Sequence, residues 1–425
     1  MKIVWFVNMI LPDFARALNL EVNNRGGWMP SLVSALRRYA PDIELHICSA
    51  GSQGACADVD GVRYYALGNA YEGRFFHRPS ELFSRNAARL IREINPDVIH
   101  FHGSEGLFGT VDASIYDKNK CVVSLQGILQ GSHPHYAGGI NELEIRRYRN
   151  YINFLLTRYT ITRGAESWRA RMGESERVAL KRAKYVMGRT DWDKAWTHYL
   201  APDARYFHVG EVLRPEFYGG IRNVKNIRRH SVFCGGAMAY PLKGGHWLLR
   251  AIAALKRYYP DIQLRVANAD KVKPQATVKN WLRRNEYQRY LWRIIKENGL
   301  EENVVLMPSL TASEVADELR RAEIFCLPSM CENSPNSIGE AMLLGTPVVA
   351  TDVGGISSIV KNGAEGILVP SADPAMLASA ISDLFNSSEK ASVMANAAYI
   401  TAQDRYSPTV VVEQLRHAYQ EIVKS

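Results

Sequence analysis

The sequence predicts an α/β chain built as two doubly wound parallel-sheet domains. Short apolar runs alternate with helical patterns in its first half, and the same alternation restarts after residue 230. A polar stretch bearing Gly and Pro separates the two series. At 425 residues the chain is also too long for one compact core.

In the first series "KIVWFVN", "IELHICS", "DVIHFHG", "CVVSLQG" and "AKYVMGRT" read as strands, with "MPSLVSALRRYA" and "PSELFSRNAARLIREI" as helices between them. "HVGEVLRPEFYGGIRNVKNIRRH" reads as a linker. The second series runs "SVFCGG", "GGHWLLRAIAALKRYY", "IQLRVAN", a basic helix, "NVVLMPS", "SEVADELRRA", "IFCLPS", "PVVAT" and "GILVP". The boundaries are 1–208 for the first domain, 209–230 for the linker and 231–405 for the second domain. Residues 406–425 form a separate amphipathic helix, with Val412, Leu415, Tyr419 and Ile422 in register, expected to pack back on the first domain. Two such domains face each other across a cleft at their strand C-termini, where α/β folds bind ligands.

Composition narrows the function. Hydrophobic residues at 47% and charged residues at 22% exclude a disordered chain. The six cysteines form no CxxC pair, so a zinc site or disulfide framework is not expected, and a cytoplasmic setting fits. The opening "MKIVWFVNMILPD" lacks a small-x-small cleavage site and is broken by Asn8 and Pro12, so it reads as a buried strand and not a leader. No apolar run approaches the ~20 residues of a membrane span. The net charge of +9 is concentrated in two stretches, Ile145 to Lys184 and Lys271 to Lys296. In the second, Trp281, Leu282, Leu291, Ile294 and Ile295 share a helical face, while Arg283, Arg284, Arg289 and Arg293 fall mainly elsewhere. Both stretches read either as solvated faces of core helices or as docking sites for an anionic membrane surface or an acidic lipid-linked substrate. No nucleic-acid motif accompanies the charge, and no nucleic-acid partner is expected.

Three glycine pairs open or precede helices: Gly26 and Gly27, Gly244 and Gly245 after Lys243, and Gly354 and Gly355. Such loops bring backbone N–H groups close to phosphate oxygens, and two of them in corresponding places point to a diphosphate. There is no GK pair and hence no Walker A loop, and "GSEGLFG" has the wrong spacing for a dinucleotide fingerprint. Asp191 and Asp193 form a DxD that reads as helix capping sooner than as a metal site. His100 with His102, and His133 with His135, lack a third ligand, so no metal is expected and these are strand-end or pocket histidines. In "MCENSPNSIGEAMLLGTPVV" two carboxylates, Glu332 and Glu340, flank a helix start. Ser337 followed by Glu340 reads as a capping box, while Glu332 has no capping role and suits a ligand hydroxyl.

With "KGG" opening the second domain and "ENSPNSIGEAMLLGTPVVATDVGG" about ninety residues on, the chain resembles the family 4 retaining glycosyltransferases of GT-B fold. "RGGW", "PDVIHFHG", "VMGRTDWDKAW" and "NGAEGILVP" extend the resemblance over nearly the whole chain. It implies two Rossmann-like domains, an N-terminal one for the acceptor and a C-terminal one for a nucleotide-sugar donor. It further implies that Glu340 holds the ribose, that Glu332 holds a sugar hydroxyl, and that Asn333, Ser334, Pro335, Asn336 and Ser337 line the sugar and diphosphate. Lys243, with Gly244, Gly26 and Gly27, would meet the leaving diphosphate, and Ser309 and Leu310 the base. Arg189, His102 and His133 are the expected acceptor contacts. Many relatives carry an Arg just before the Lys-Gly pair; this chain has none there, and Arg189 is a candidate for the missing charge. It also has Gln126 where many relatives have a His; a Gln cannot act as a general base, and Gln126 is expected in the catalytic site to orient the sugar by hydrogen bonds. The implied activity is transfer of a sugar to a lipid-linked or glycan acceptor in cell-surface polysaccharide synthesis, without a cofactor, at the inner face of the plasma membrane. A sugar-nucleotide epimerase of the same fold and a non-catalytic sugar-nucleotide-binding protein are the alternatives.

Overall fold

The computed structural model describes residues 1–22, 27–51, 54–69, 71–72, 78–104, 116–147, 151, 155, 160–167, 173–274 and 284–425. Gly26, Trp281, Leu282, Arg283 and most of "GSEGLFG" lie outside them. The chain forms two compact units, neither continuous in sequence. Unit 1 comprises Met1–Gln130, Arg169–Arg214 and Arg405–Ser425; unit 2 comprises Gly131–Trp168 and Pro215–Asp404.

Among the described residues the main sheet of unit 1 has eight strands: β1 (Lys2–Val7), β2 (Glu44–Ser49), β3 (Cys56–Val59), β4 (Val62–Ala66), then, beyond the separate short hairpin β5 (Tyr71–Glu72) and β6 (Arg78–Pro79), β7 (Val98–His102), β8 (Cys121–Ser124), β9 (Tyr185–Gly188) and β10 (Arg205–His208). They run in the order β10-β9-β8-β7-β1-β2-β4-β3, all parallel except β3. Successive side chains of a strand face opposite ways. In β1 this sends Ile3, Trp5 and Val7 into one buried cluster, and Val4 and Phe6 into another. The helices Trp28–Tyr39 and Pro408–Lys424 cover the first face, and Glu81–Ile94 covers the second. On the last helix of the chain, Val412, Leu415, Tyr419 and Ile422 are all buried. Tyr419 Oη accepts a hydrogen bond from Trp5 Nε1 at 2.8 Å and lies 2.6 Å from His100 Nδ1.

Unit 2 holds β11 (Ser231–Cys234), β12 (Gln263–Val266), β13 (Val304–Leu306), β14 (Ile324–Leu327), β15 (Val348–Thr351) and β16 (Ile367–Val369). All are parallel, in the order β13-β12-β11-β14-β15-β16. The order reverses between β11 and β14, and such a switch point is where doubly wound sheets take ligands.

Two boundaries differ from those read in the sequence. Residues 131–168 belong to unit 2, because Tyr136, Ile140 and Ile161 are buried in its core. The stretch 209–230 is not a free linker. Val209, Val212 and Leu213 are buried in the unit 1 portion and Phe217 in the unit 2 portion. Arg228 shares Glu318 with Arg265, and although burial pushes the Glu318 carboxyl up, the two guanidiniums hold it down at about 2. The basic helix begins at Glu286, behind a capping box of Asn285 and Gln288. Its Tyr287, Leu291, Ile294 and Ile295 are spent on the core, and buried Arg284 donates to the Val272 carbonyl at 2.7 Å. The described part of that apolar face is therefore turned to the core of unit 2. Among the described residues no helix is long and apolar enough to cross one.

Candidate active site

Three loops leave the C-terminal ends of adjacent strands β11, β14 and β15, and glycines allow them to touch. Gly244, after the 3-10 turn Pro241–Lys243, has φ +70°, and a Cβ there would stand 1.8 Å from the Pro328 carbonyl oxygen. Gly354 has φ +57°, and its Cβ would stand 1.9 Å from the carbonyl oxygen of Glu332. The sequence suggested that these glycines let a ligand approach; in the structure they let one loop approach another. Two backbone bonds complete the weave: Met330 N donates to Leu242 O at 2.8 Å, and Gly355 N donates to Glu332 O at 3.0 Å.

The weave brings Lys243 and Glu332, 89 residues apart, to an ion pair with Nζ 2.5 Å from Oε1. Ser329 Oγ donates to the same Oε1 at 2.7 Å, and the Ser329 carbonyl accepts from Thr351 Oγ1 at 2.5 Å. Burial opposes the charge on Lys243, but the Glu332 carboxylate outweighs it and holds the ammonium above the ordinary lysine range. Nζ also lies 5.9 Å from the centroid of the Tyr240 ring. Neither Ser329 nor Tyr240 was picked out from the sequence, although Ser329 stands three residues before Glu332 and Tyr240 three before Lys243.

The helix Asn336–Leu343 follows. Its N-cap is Pro335, with no side-chain cap, so the expected capping box of Ser337 and Glu340 does not form. Proline fixes φ at −73° and starts the helix early, placing Ser337 second and Glu340 fifth. Ile338 N donates to Pro335 O at 3.1 Å, and the positive end of the helix dipole lies at this turn without a side-chain cap. Asn333 and Glu340 are each 6% exposed, while Ser334, Pro335, Asn336 and Ser337 are half-buried. Asn336 Oδ1 is buried without a hydrogen-bond partner among the described residues. Ser309 is exposed and Leu310 half-buried, in the loop after β13.

The remaining expected site residues are placed differently. His133 lies in the 3-10 turn His133–His135 of unit 2, whereas Gln126, Arg189, His102 and Gly27 belong to unit 1. Gln126 Nε2 donates to His102 O at 3.2 Å. His102 is buried and stacked on His100 with centroids 3.9 Å apart, and burial holds it neutral, well below the ordinary histidine range. Arg189 forms a buried ion pair with Glu211, donates to Leu125 O at 2.8 Å and lies over the Trp28 ring. Its charge is paired inside unit 1 with Glu211, as that of Lys243 is paired with Glu332. Gly27 precedes the helix Trp28–Tyr39, and a Cβ on it would meet Arg214 Cδ at 2.6 Å.

Asp193 forms a capping box with Thr190 and accepts from Tyr206 Oη at 2.7 Å, the capping role expected for the DxD. Among the described residues no group of three or more His, Cys, Asp or Glu is arranged to hold a metal ion.

Residues 229–387 match the model of the family described as Glycosyl transferases group 1. A D-inositol 3-phosphate glycosyltransferase of Paenarthrobacter aurescens (strain TC1) is 30% identical over 179 residues, 41% of this chain and 41% of that protein. The enzyme of the same name from Pseudarthrobacter chlorophenolicus is 33% identical over 175 residues, 41% of this chain and 39% of that one. The chain thus spans about two fifths of the length of these curated relatives. Over its whole length it superposes on sucrose-phosphate synthase from Thermosynechococcus elongatus, with TM-score 0.71, 16% identity and coverage of 100% and 99% of the two chains. Anabaena HepE in complex with UDP-glucose gives TM-score 0.67 and 16% identity, over 99% of this chain and 100% of that one. Residues 229–387 are accordingly similar to a group 1 glycosyltransferase domain, and the chain has the GT-B fold.

Proposed function

We propose that this chain is a retaining glycosyltransferase that moves a sugar from a nucleotide-diphosphate sugar to a lipid-linked or glycan acceptor. The observation that carries the reading is the Lys243–Glu332 pair at the switch point of unit 2, beside a helix start without a side-chain cap. Departure of the nucleoside diphosphate concentrates negative charge on its terminal phosphate, and preorganised donors aimed at that charge stabilise the transition state. Lys243 and the first turn of Asn336–Leu343 supply them; no cofactor is assigned. Glu332 receives a sugar hydroxyl and Glu340 the ribose. The C1–O bond to phosphate breaks as the C1–O bond to the acceptor forms on the same face, and the acceptor proton passes to the leaving phosphate oxygen. No protein base is then required, which accommodates Gln126. Attraction to an anionic membrane surface would rest on exposed Arg146, Arg147, Lys181 and Arg182.

The experiment is a melting screen against common nucleotide sugars, uridine donors first, followed by transfer assays on extracted lipid-linked acceptors. A donor at ~100 times its Kd should stabilise the chain by ~2.7 kcal/mol. Lys243→Met and Glu340→Gln should each lower turnover by ~30-fold to ~1000-fold, the worth of one charged contact of ~2–4 kcal/mol. Full turnover by both variants would sink the reading. Formation of an epimer, or donor binding with neither transfer nor hydrolysis, would replace it.

A further inference from the structure

Residues 131–140 and 160–167, which the sequence assigned to the first domain, belong to unit 2, and several of them meet the loops of the candidate site. Gly138 has φ +67°, and a Cβ on it would stand 2.4 Å from the Pro241 carbonyl oxygen, two residues before Lys243. The Gly138 carbonyl accepts from His246 Nε2 and Trp247 Nε1, both at 2.9 Å. His246 is therefore protonated on Nε2, and its Nδ1 accepts from Tyr287 Oη at 3.0 Å. At the other loop, Gly131 O lies 3.9 Å from the thiol of Cys331, the neighbour of Glu332. The far end is fastened by Ile161 N, which donates to Glu286 Oε2 at 3.1 Å.

Between these anchors Tyr136 is buried at 6% exposure. Its hydroxyl end rests on Gly164, where a Cβ would come within 2.5 Å of Oη. Its ring stacks on Tyr240, with centroids 6.4 Å apart and planes inclined by 23°. Tyr240 in turn faces the Lys243 ammonium. We propose that this strap positions the site cation: Tyr136 fixes the ring of Tyr240, and that ring restrains the Lys243 ammonium in addition to Glu332. A lysine stem is long and loses rotamer freedom when held, so a second restraint matters most when an incoming anion competes with Glu332 for the ammonium. The inference rests on the reading of Lys243 as the diphosphate cation for its consequence, though not for its geometry.

Two readouts on the full chain test it. The first is the rate of acetic anhydride labelling of Lys243 relative to Lys256 and Lys361, followed by peptide mass spectrometry. The second is calorimetric binding of inorganic pyrophosphate and of uridine. Tyr136→Ala should raise Lys243 labelling severalfold and weaken pyrophosphate by about 3-fold to 30-fold, the factor a cation–aromatic contact carries. Uridine affinity should not move, and Tyr136→Phe should behave as wild type. In a Lys243→Met background Tyr136→Ala should add nothing to the pyrophosphate loss. Should Tyr136→Ala lose its fold by circular dichroism, Tyr240→Leu carries the same expectations. Unchanged labelling, or equal losses for pyrophosphate and uridine, would overturn the strap's role. Raised labelling in a chain that binds no pyrophosphate would uphold the strap and remove the diphosphate reading instead.

Discussion

Glu332 is held by a lysine and a serine on its carboxylate and by a glycine turn beneath its carbonyl. Gly354→Ala would set a Cβ at 1.9 Å from that carbonyl in a left-handed backbone, whereas Gly363, at φ +79°, has nothing among the described residues within 4 Å of its Cβ position. Gly363→Ala should therefore cost only the backbone strain, ~1 kcal/mol, and Gly354→Ala ~2–4 kcal/mol together with a raised donor KM. Urea unfolding of the two variants side by side isolates the steric part. Ser329→Ala removes one buried donor and should cost ~1–2 kcal/mol. Its sharper mark is an increased KM for the whole donor sugar with an unaltered affinity for the bare nucleoside diphosphate, read by competition binding. Of these residues the carboxylates and the lysine stand out in the sequence because charge beside glycine is conspicuous. Ser329 and Tyr240 do not stand out, since a serine or a tyrosine gains its meaning only from a neighbour brought in by the fold.

At the scale of elements, the buried parallel strands are the legible part. Continuous apolar runs such as "KIVWFV" and "PVVAT" are explained by a sheet covered on both faces. The β3–β4 hairpin escaped notice although it carries a turn signal, Asp60-Gly61, with φ of 53° and 80° as a tight hairpin turn requires. β10, "RYFH", escaped because an edge strand buries little and alternates polar with apolar. The capping box of Ser337 failed because Pro335 started the helix sooner, a competition between two valid local signals. Strand and helix packing also sets a pH response. Burial pushes His100 in β7 and His246 in the helix Gly245–Leu255 down to about 3. An unfolded imidazole takes its proton near pH ~6.5, so the stability these residues confer is complete above that and is lost as pH falls towards 3. Each should remove ~2 kcal/mol by pH 5. His100→Asn should flatten the fall in urea midpoint between pH 7 and pH 5; an unchanged slope would show that His100 does not carry it.

The whole molecule is the least legible scale, because no local pattern tells which unit a segment will join. The chain passes between units after residues 130, 168, 214 and 404. A fragment of residues 1–208 therefore lacks Val411, Val412, Leu415, Tyr419 and Ile422, all buried in the unit 1 core. At ~1.5–3 kcal/mol each, their loss rivals the ~5–15 kcal/mol that holds a typical domain folded. That fragment should bind a hydrophobic dye and digest rapidly, and appending residues 405–425 through a flexible linker should restore resistance; a stable bare fragment would contradict the assignment. The interleaving also imposes a timetable. At ~5–20 residues per second, synthesis takes roughly 15–55 s to run from residue 131 to residue 404. Throughout that interval the sheet made first waits with part of one face uncovered, so this chain should depend on whatever shelters nascent protein for longer than a two-domain chain of the same length made in sequential order.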